Sequence, residues 1–381
     1  MEYNDFFIPV AEHLQKLQPP LLPAQVGNAA KFAVPGFDWE WLQGFQIALV
    51  GLRPAGSPNS FAAVREALYR LYVPAKKVSI IDLGDIEVAN NSVEANTEKV
   101  GYALQQILLQ GTFPLVLAED MRYAHWVYEA LKSLHRSQSV AYILPTANIG
   151  NPHTPITEQN VIAHTLADLT RELAHLSVLG YQNYLTNPDD VRTLDKNYCE
   201  TVRLGALRDN LQQAEPVLRD ATLLCAAVSA LRQSDAPAAM PAMPNGFYTE
   251  EMCRMLRFAS FSSELKAFFM GGMNLSNDRQ QQTANLLAQL VWHVIEGIAY
   301  RIQEHPAENK KKFRRVQVEM GTREQRLIFY QSKVSHRWWM EIPTNDSAVK
   351  HIIACQATDY EQARQMELPD RWLWFFKKFS R

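Results

Sequence analysis

Between residues 46 and 270, short apolar runs alternate with stretches whose apolar residues recur at helical spacing. Runs of this length that lack a polar alternation are typical of strands buried on both faces of a parallel sheet. The predicted strands are Gln46–Leu52, Lys77–Leu83, Phe113–Leu117, Val140–Leu144, Leu176–Gly180, Thr222–Val228 and Leu265–Met270. Repeated strand–helix–strand units predict an α/β fold of three α-β-α layers around a mainly parallel, doubly wound sheet.

Several of the connecting stretches predict helices, either from apolar periodicity or from a capping residue. The last of them carries a continuous apolar stripe of the kind that packs against a sheet. These helices are expected after Ser60, over Val161–Leu173, from Thr249, and over Asn285–Ile302. Ligands of doubly wound sheets bind beyond the carboxyl ends of the strands. The residues that follow each predicted strand are therefore the first candidates for a site.

The same pattern divides the chain into three parts. Residues 1–44 contain several prolines and are expected to form an irregular lead-in. Residues 45–309 carry the strand–helix alternation and are expected to form one α/β domain. The Pro- and Ala-rich segment Ser234–Pro244 is interpreted as a loop, because the alternation resumes after it. Residues 310–381 are expected to form a C-terminal extension packed on this domain.

The extension opens on a basic run at residues 310–315, followed by two predicted antiparallel strands, Val316–Met320 and Arg326–Gln331. The next segment, SHRWWM, is expected to continue the hairpin, with a short helix between Pro343 and Pro369. The extension contains a group of four tryptophans, Trp338, Trp339, Trp372 and Trp374. These rings are expected to cover the domain's sheet edge or last helix, and a protein interface is the alternative. A nucleic-acid stacking platform would need denser positive charge.

The amino-acid composition does not favour any particular class of partner. The 381 residues are 47% hydrophobic and 20% charged, with a net charge of -2, as in an ordinary globular protein. This balance gives no electrostatic reason to expect nucleic acid or a membrane as partner. No signal peptide or membrane-spanning segment is apparent, so a cytoplasmic location is expected. The cysteines lack metal-site spacing and are expected to be reduced and mostly buried: Cys199, Cys225, Cys253 and Cys355.

Several of these segments resemble the ureohydrolase family of arginase, agmatinase and formimidoylglutamase. The segment FQIALVGLRPAGSPNSFAAVREALYRL is similar to a strand, loop and helix of the family, and SIIDLGDI is a second early segment that resembles it. GTFPLVLAEDM is similar to its strand ending in Gly-Gly-Asp-His, and LRDATLLCAAVSALRQSDAP to its Ser-x-Asp-x-Asp strand. LKAFFMGGMNLSND resembles the strand ending in a substrate-binding Glu. The likeness is colinear from about Phe45 to Arg301, and it implies the arginase-like fold.

The resemblance also implies a pair of Mn²⁺ ions held by carboxylates and imidazoles, whose bridging hydroxide attacks a guanidinium or formimino carbon. It places the family's ligands at Met121, Leu144, Thr146, Asn148, Ala227 and Ser229 of this chain. The substrate-binding Glu falls near Gly272. None of these residues is a carboxylate or an imidazole, and the thioether of Met121 is a poor ligand for Mn²⁺. We therefore expect no metal and no catalytic residue at this place.

Other residues could rebuild a site or line what is left of one. Glu119 and Asp120 follow a strand, although Asp120 is expected to hold a loop by hydrogen bonds. His153 and His164 could join a metal site, although lone histidines near helix starts are more often exposed. The candidate lining is Glu119, Asp120, Met121, Asn148, His153, Ala227, Ser229 and Gly272. Ser229 and Cys225 have no local base, and no Gly-x-Ser-x-Gly motif is present.

Three hypotheses follow for the function. The leading one is a catalytically inactive relative, a pseudoenzyme that acts by binding or assembly. The second is a hydrolase of C–N bonds in a guanidino or formimino compound, with Mn as cofactor and a non-standard site. The third is a small-molecule sensor that uses the vestigial pocket for a ligand that the sequence does not identify. Proteins of this family usually form trimers or hexamers, so a homo-oligomer or a protein partner is expected.

Overall fold

The computed structural model describes residues 3–57, 61–89, 93–134, 137–167, 173–321, 326–344 and 350–380. Its strands up to residue 271 are β1 Phe7–Ile8, β2 Lys31–Phe32, β3 Ile47–Pro54, β4 Ile80–Val88, β5 Phe113–Ala118, β6 Gln138–Ile143, β7 Leu173–Tyr181, β8 Glu200–Arg203, β9 Leu223–Ala227 and β10 Ala267–Gly271. They form one sheet of 10 strands in the order β1-β4-β3-β5-β10-β9-β6-β7-β8, with β2 also on β4. Every pairing is parallel except that of β1 with β4.

The helices of this part are α1 Glu12–Gln15, α2 Val26–Ala29, α3 Ala62–Arg70, α4 Val93–Leu109, α5 Ala124–Leu134, α6 Val161–Leu166, α7 Pro188–Lys196, α8 Leu204–Asp209, α9 Ala214–Arg219, α10 Thr249–Ser260 and α11 Gln282–Ala299. They cover both faces of the sheet. Alternate residues of β3 show this, because Leu49 belongs to the apolar cluster on one face and Val50 to the cluster on the other. The three-layer fold with a mainly parallel sheet is confirmed.

All seven strands predicted from the apolar runs are present as β3, β4, β5, β6, β7, β9 and β10. The helix expected over Val161–Leu173 ends at Leu166, and Leu173 already belongs to β7. The expected cap Ser60 lies outside the described residues. The lead-in is more regular than expected, because β1 and β2 extend the sheet beyond β4. Tyr3 helps to anchor it, since its hydroxyl donates to the Leu83 carbonyl at 2.7 Å.

The extension forms a second sheet of four antiparallel strands, β11 Phe313–Glu319, β12 Arg326–Ser332, β13 Trp338–Pro343 and β14 Lys350–Cys355. Two helices follow, α12 Ala357–Arg364 and α13 Asp370–Phe379. The SHRWWM segment does continue the hairpin, as β13 pairs with β12. A helix lies between Pro343 and Pro369 as expected, but β14 precedes it in the same interval.

The second sheet contacts the α/β domain through α9 and the residue that follows it. Arg219 donates through Nη2 to the carbonyl oxygens of Trp338 at 2.9 Å and Cys355 at 3.0 Å. The Asp220 carboxylate accepts from the Ala354 amide at 2.9 Å. Trp339 is 2% exposed, whereas the rings of Trp338, Trp372 and Trp374 are half-buried. Among the described residues no helix is long and apolar enough to cross a membrane.

Candidate functional site

Four neighbouring strands at the centre of the main sheet, β5, β10, β9 and β6, end at one side of the molecule. A cavity of about 180 Å³ lies beyond their carboxyl ends. Its wall contains all six positions at which the resemblance places metal ligands, namely Met121, Leu144, Thr146, Asn148, Ala227 and Ser229. Residues that are far apart in sequence are brought together here because the chain leaves each strand at the same edge of the sheet.

The turn after β5 brings Met121 into the cavity wall. Asp120 caps this turn, because its Oδ1 accepts from the Arg122 amide at 2.8 Å. Its Oδ2 lies 2.7 Å from Nε of Arg122. Met121 itself is 4% exposed and lies beside Gly272, where an added Cβ would come within 3.3 Å of the Met121 Cγ. Gly272 has a positive φ of 81°, so the turn after β10 favours glycine.

The turns after β6 and β9 complete the wall. Asn148 is already engaged, because its Nδ2 donates to the Leu185 carbonyl at 3.2 Å and its Oδ1 accepts from the Asn187 amide at 2.8 Å. Ser229 is 4% exposed in a single turn of 3-10 helix that follows β9. The available polar groups of these turns are therefore neutral hydroxyls and an amide that is already hydrogen-bonded.

Glu158 is the one acidic residue in the cavity wall, and the sequence did not single it out. It lies in the turn before α6, and its Oε1 accepts from the backbone amide of Met121 at 3.0 Å. Burial raises the pKa of this carboxyl, and the neighbouring Asp120 raises it further, while the Met121 amide opposes the shift. The cavity thus favours the protonated form of this carboxyl more than solvent does.

The remaining candidates lie outside the cavity wall. Glu119 contacts the turn after β10 through its backbone, because its carbonyl accepts a hydrogen bond from the Met273 amide at 3.0 Å. Asp120 holds the turn described above, as its hydrogen bonds were expected to do. His153 is exposed, and its amide donates to Asn151 at 2.9 Å. The Nε2 of His164 lies 3.1 Å from the Thr154 carbonyl oxygen. The structure thus gathers four of the eight candidate residues in the cavity wall and leaves Glu119, Asp120, His153 and Gly272 beside it or away from it.

Nucleophilic chemistry has no support among the cysteines. All four thiols are free and buried, as expected. Burial raises the pKa of Cys225, in the middle of β9, well above its ordinary value, and raises that of Cys199 to about 12. Because the thiolate is the reactive form, these groups are inert near neutral pH.

The donor groups do not suit a pair of Mn²⁺ ions. Such hard cations need several charged oxygen or imidazole ligands that converge. The cavity wall offers one carboxyl, and the described residues contain no group of three His, Cys, Asp or Glu side chains that could hold a metal. No catalytic step through a metal can be derived from this wall.

Comparison with solved structures identifies the fold. Formiminoglutamase from Trypanosoma cruzi aligns with a TM-score of 0.60 and 17% identity over 68% of this chain and 95% of its own. Formimidoylglutamase from Bacillus subtilis gives 0.59 and 16% over 67% and 87%. Arginase from Bacillus subtilis gives 0.54 and 17% over 65% and 98%. No family model and no curated protein matches the sequence.

The chain therefore has the fold of the arginases and formiminoglutamases. This confirms the fold implied by the resemblance of the strand ends. The structures of the Trypanosoma cruzi protein include forms described with two Mn²⁺ ions. In the present chain the wall of the cavity at the carboxyl ends of the central strands has one carboxyl group among its described residues, that of Glu158.

Proposed function

We propose that this chain is a non-catalytic protein with the ureohydrolase fold, which acts by binding or assembly. One observation supports the proposal above the others: a cavity lies at the strand ends, but among the described residues its wall has one carboxyl group, on Glu158. A bridging hydroxide near neutral pH requires a bound cation that lowers the pKa of water. With a single carboxyl and no imidazole, the wall offers no means of holding a pair of such cations.

The experiment that tests this proposal combines metal content with turnover. We expect protein produced in Mn²⁺-supplemented medium to contain much less than one metal ion per chain. We expect no rise in melting temperature with micromolar Mn²⁺, because a ligand stabilises the folded state only if it binds that state. We expect no release of urea from arginine or agmatine and no hydrolysis of formiminoglutamate. Bacillus subtilis arginase, measured in parallel, controls for the metal and urea assays.

Stoichiometric Mn, Fe or Zn would overturn the proposal and support the hydrolase hypothesis instead. So would turnover that belongs to this cavity. Glu158→Gln and Ser229→Ala would locate such turnover, because both residues line the cavity wall. Turnover that these variants leave unchanged would have to arise elsewhere in the chain or in a contaminant, and a second purification route separates those two cases.

A small-molecule sensor is the second candidate, and the retained cavity favours it. The volume of the cavity, about 180 Å³, lies below the range of about 300–1,000 Å³ that is usual for small-molecule sites. A compact ligand that pairs with the carboxyl of Glu158 and the hydroxyl of Ser229 would suit it. Soaking crystals with a library of small fragments tests this candidate, and density confined to other surfaces would count against it.

Assembly is the other part of the proposal. We expect the chain to form a homo-oligomer or to bind a protein partner, as the resemblance to an oligomeric family implies. Light scattering on the purified full chain measures its mass directly. A monomer at the highest concentration tested would exclude self-assembly. The proposal would then require a different protein as the partner.

A further inference from the structure

A larger cleft, of about 640 Å³, lies where the C-terminal extension meets the α/β domain. Helices α9 and α10 line it from the domain side. The connection between β12 and β13, the start of β13 and the amino end of α12 line it from the extension side. The volume falls within the range that is usual for small-molecule sites. This cleft is separate from the cavity at the strand ends and shares no lining residue with it.

Three arginines contribute to the wall of this cleft, Arg219, Arg257 and Arg337. Glu215 is shared between two of them, with its Oε1 at 3.1 Å from Nε of Arg219 and 3.5 Å from Nε of Arg337. Glu296 lies 3.4 Å from Nε of Arg257. The lining thus carries three guanidinium groups and one carboxylate, that of Glu215, while Asp220 and Glu304 act on Arg219 and Arg337 from outside it.

Arg219 lacks a partner for one of its amino groups. The residue is 3% exposed, and its Nη2 donates to backbone carbonyls of the extension. Its Nη1 has no hydrogen-bond partner among the described residues. The ring of Trp339 stacks on the guanidinium, with its centroid 4.2 Å from Cζ, but a ring face is a weak acceptor at best. A buried N–H group without an acceptor is unfavourable, so this guanidinium is held in place by its other contacts.

The amino end of α12 faces the same cleft. Ala357 and Thr358, the first two residues of this helix, belong to the wall. Their backbone amides have no carbonyl partner within the helix, and the helix dipole makes this end partially positive. Gln356 is the N-cap of this same turn, and its amide donates to the Asp359 carboxylate at 2.7 Å. A helix end of this kind adds to the attraction that the arginines exert on an anion.

The wall also contains aromatic residues. Phe258 and Phe261 of the α10 region and Trp338 of β13 are half-buried in it. The Phe261 ring lies between two guanidinium groups, with Cζ of Arg257 at 5.0 Å and Cζ of Arg337 at 5.8 Å from its centroid. Apolar rings next to charged donors are typical of sites that orient a ligand by its polar group and bury its apolar body.

We propose that this cleft binds an organic anion, with a carboxylate or phosphate held by the arginines and the amino end of α12, and an apolar or aromatic body against Phe261 and Trp338. Guanidinium groups favour these anions because their planar donors match two acceptor oxygens at once. This site goes beyond the proposed function and does not depend on it, because it shares no residue with the cavity at the strand ends.

The test uses the full chain and simple probes in isothermal titration and ligand-observed NMR. Phenyl phosphate and benzoate carry an anion on an aromatic ring, benzyl alcohol carries the ring without charge, and inorganic phosphate carries the charge without a ring. We expect the two aromatic anions to bind more tightly than either control. The stronger of the two identifies the anion chemistry of the ligand.

Variants locate the binding. Arg257→Gln removes a cleft arginine whose side chain is 49% exposed, so the fold should tolerate it. Arg254→Gln is its matched control, because Arg254 is an exposed residue of the same helix outside the cleft. We expect Arg257→Gln and Arg337→Gln to weaken phenyl phosphate binding about tenfold, as loss of a charge-assisted hydrogen bond does, and Arg254→Gln to leave it unchanged.

Results of two kinds would overturn the proposal, one from the probes and one from the variants. One is equal binding of the aromatic anions and benzyl alcohol, or no binding of any probe at millimolar concentration. The other is equal weakening by Arg257→Gln and Arg254→Gln, which would indicate a general effect of surface charge. Circular dichroism of each variant confirms that a loss of binding is not a loss of fold.

Discussion

The hydroxyl of Ser260 occupies the space that a side chain at position 297 would need, because a Cβ on Gly297 would lie 1.7 Å from the Ser260 Oγ. Ser260 ends α10, and Gly297 lies in the last turn of α11. The hydroxyl is fixed in place by its hydrogen bond to the Leu256 carbonyl at 2.8 Å. The two helices therefore approach more closely at this point than any residue other than glycine allows.

Replacing Gly297 by alanine should destabilise the protein, although alanine is the better helix former. Overpacking of a closely packed contact costs about 1–3 kcal/mol, which exceeds the gain of about 1 kcal/mol in helix propensity. Gly101→Ala is the matched control, since Gly101 lies inside α4 and a Cβ there would meet no atom within 4 Å. It should stabilise the protein slightly. Urea denaturation compares the two, and equal effects would contradict the close contact.

Acid should weaken the contact between α13 and the main sheet. His175 of β7 faces Lys378, with Nδ1 2.9 Å from Nζ, and Glu200, with Nε2 3.4 Å from Oε2. The rings of Trp374 and Phe375 pack against it. Burial, and then Lys378, lowers the pKa of His175 from 6.5 to about 4. The unfolded chain therefore binds a proton more readily than the folded chain does between these values.

This shift fixes the direction of the pH dependence. The contribution of His175 to stability is complete above about pH 6.5 and is lost as the pH falls toward 4. Glu200, whose pKa is lowered to about 2 chiefly by Arg371, adds a further loss below about pH 4.5. His175→Gln should flatten the first part of the profile and also reduce the second, because His175 helps to lower the pKa of Glu200. Free energies of unfolding at a series of pH values would refute this if the variant and the parent lost stability in parallel between pH 6.5 and 4.5.

Arg371 should be a stabilising residue of the extension. Its guanidinium contacts Glu200, lies 3.4 Å from Asp220, and donates through Nε to the Ala354 carbonyl at 3.0 Å. Arg371→Met would leave two acids without their cation, which costs about 3 kcal/mol for a largely buried pair. Arg364→Met is the control, because that arginine is 59% exposed and pairs with Glu361 in solvent. Its effect should stay within about 0.5 kcal/mol.

The extension should behave as part of the folded unit. Trp339 is 2% exposed, and its ring packs on Arg219 and Phe313. Trp339→Ala should cost about 3–5 kcal/mol, a large share of the about 5–15 kcal/mol of a typical domain. Trp41→Ala, at a ring that is 58% exposed, should cost far less. A chain that ends at Lys310 should be insoluble or loosely packed, and a soluble one with a cooperative melting transition would show the extension to be independent.

Sequence patterns were most informative where burial was complete. Strands such as β5 and β9 are buried along their whole length, and their uninterrupted apolar runs made them visible. β8 is a partly exposed edge strand with the sequence ETVR, so its residues carry no such pattern. β14 and α13 escaped detection for a related reason, because these short elements of the extension contain no long uninterrupted apolar run.

The candidate site could likewise be predicted only in part. The rule for strand ends in doubly wound sheets, together with the family resemblance, was enough to assign Met121 and Ser229 to one cavity. The sequence did not identify Glu158, because this residue reaches the cavity from a turn and its contact with the Met121 amide spans 37 residues. The cleft between the extension and the α/β domain could not be predicted from the sequence either, since it depends on how the extension packs. Arg219 and Trp338, which meet there, are separated by 119 residues.

The order of strands in the main sheet bears on how copies of this chain can meet. Long exposed edge strands offer free amides and carbonyls that can pair with another molecule and start aggregation. Here one edge is formed by the two-residue strands β1 and β2, and the other by β8, which has four residues and lies against Arg371 of α13. The chain's own terminal segments thus shield both borders of the sheet. Any association between copies is therefore expected to use helical or loop surfaces, and continuous pairing of sheets from end to end is disfavoured.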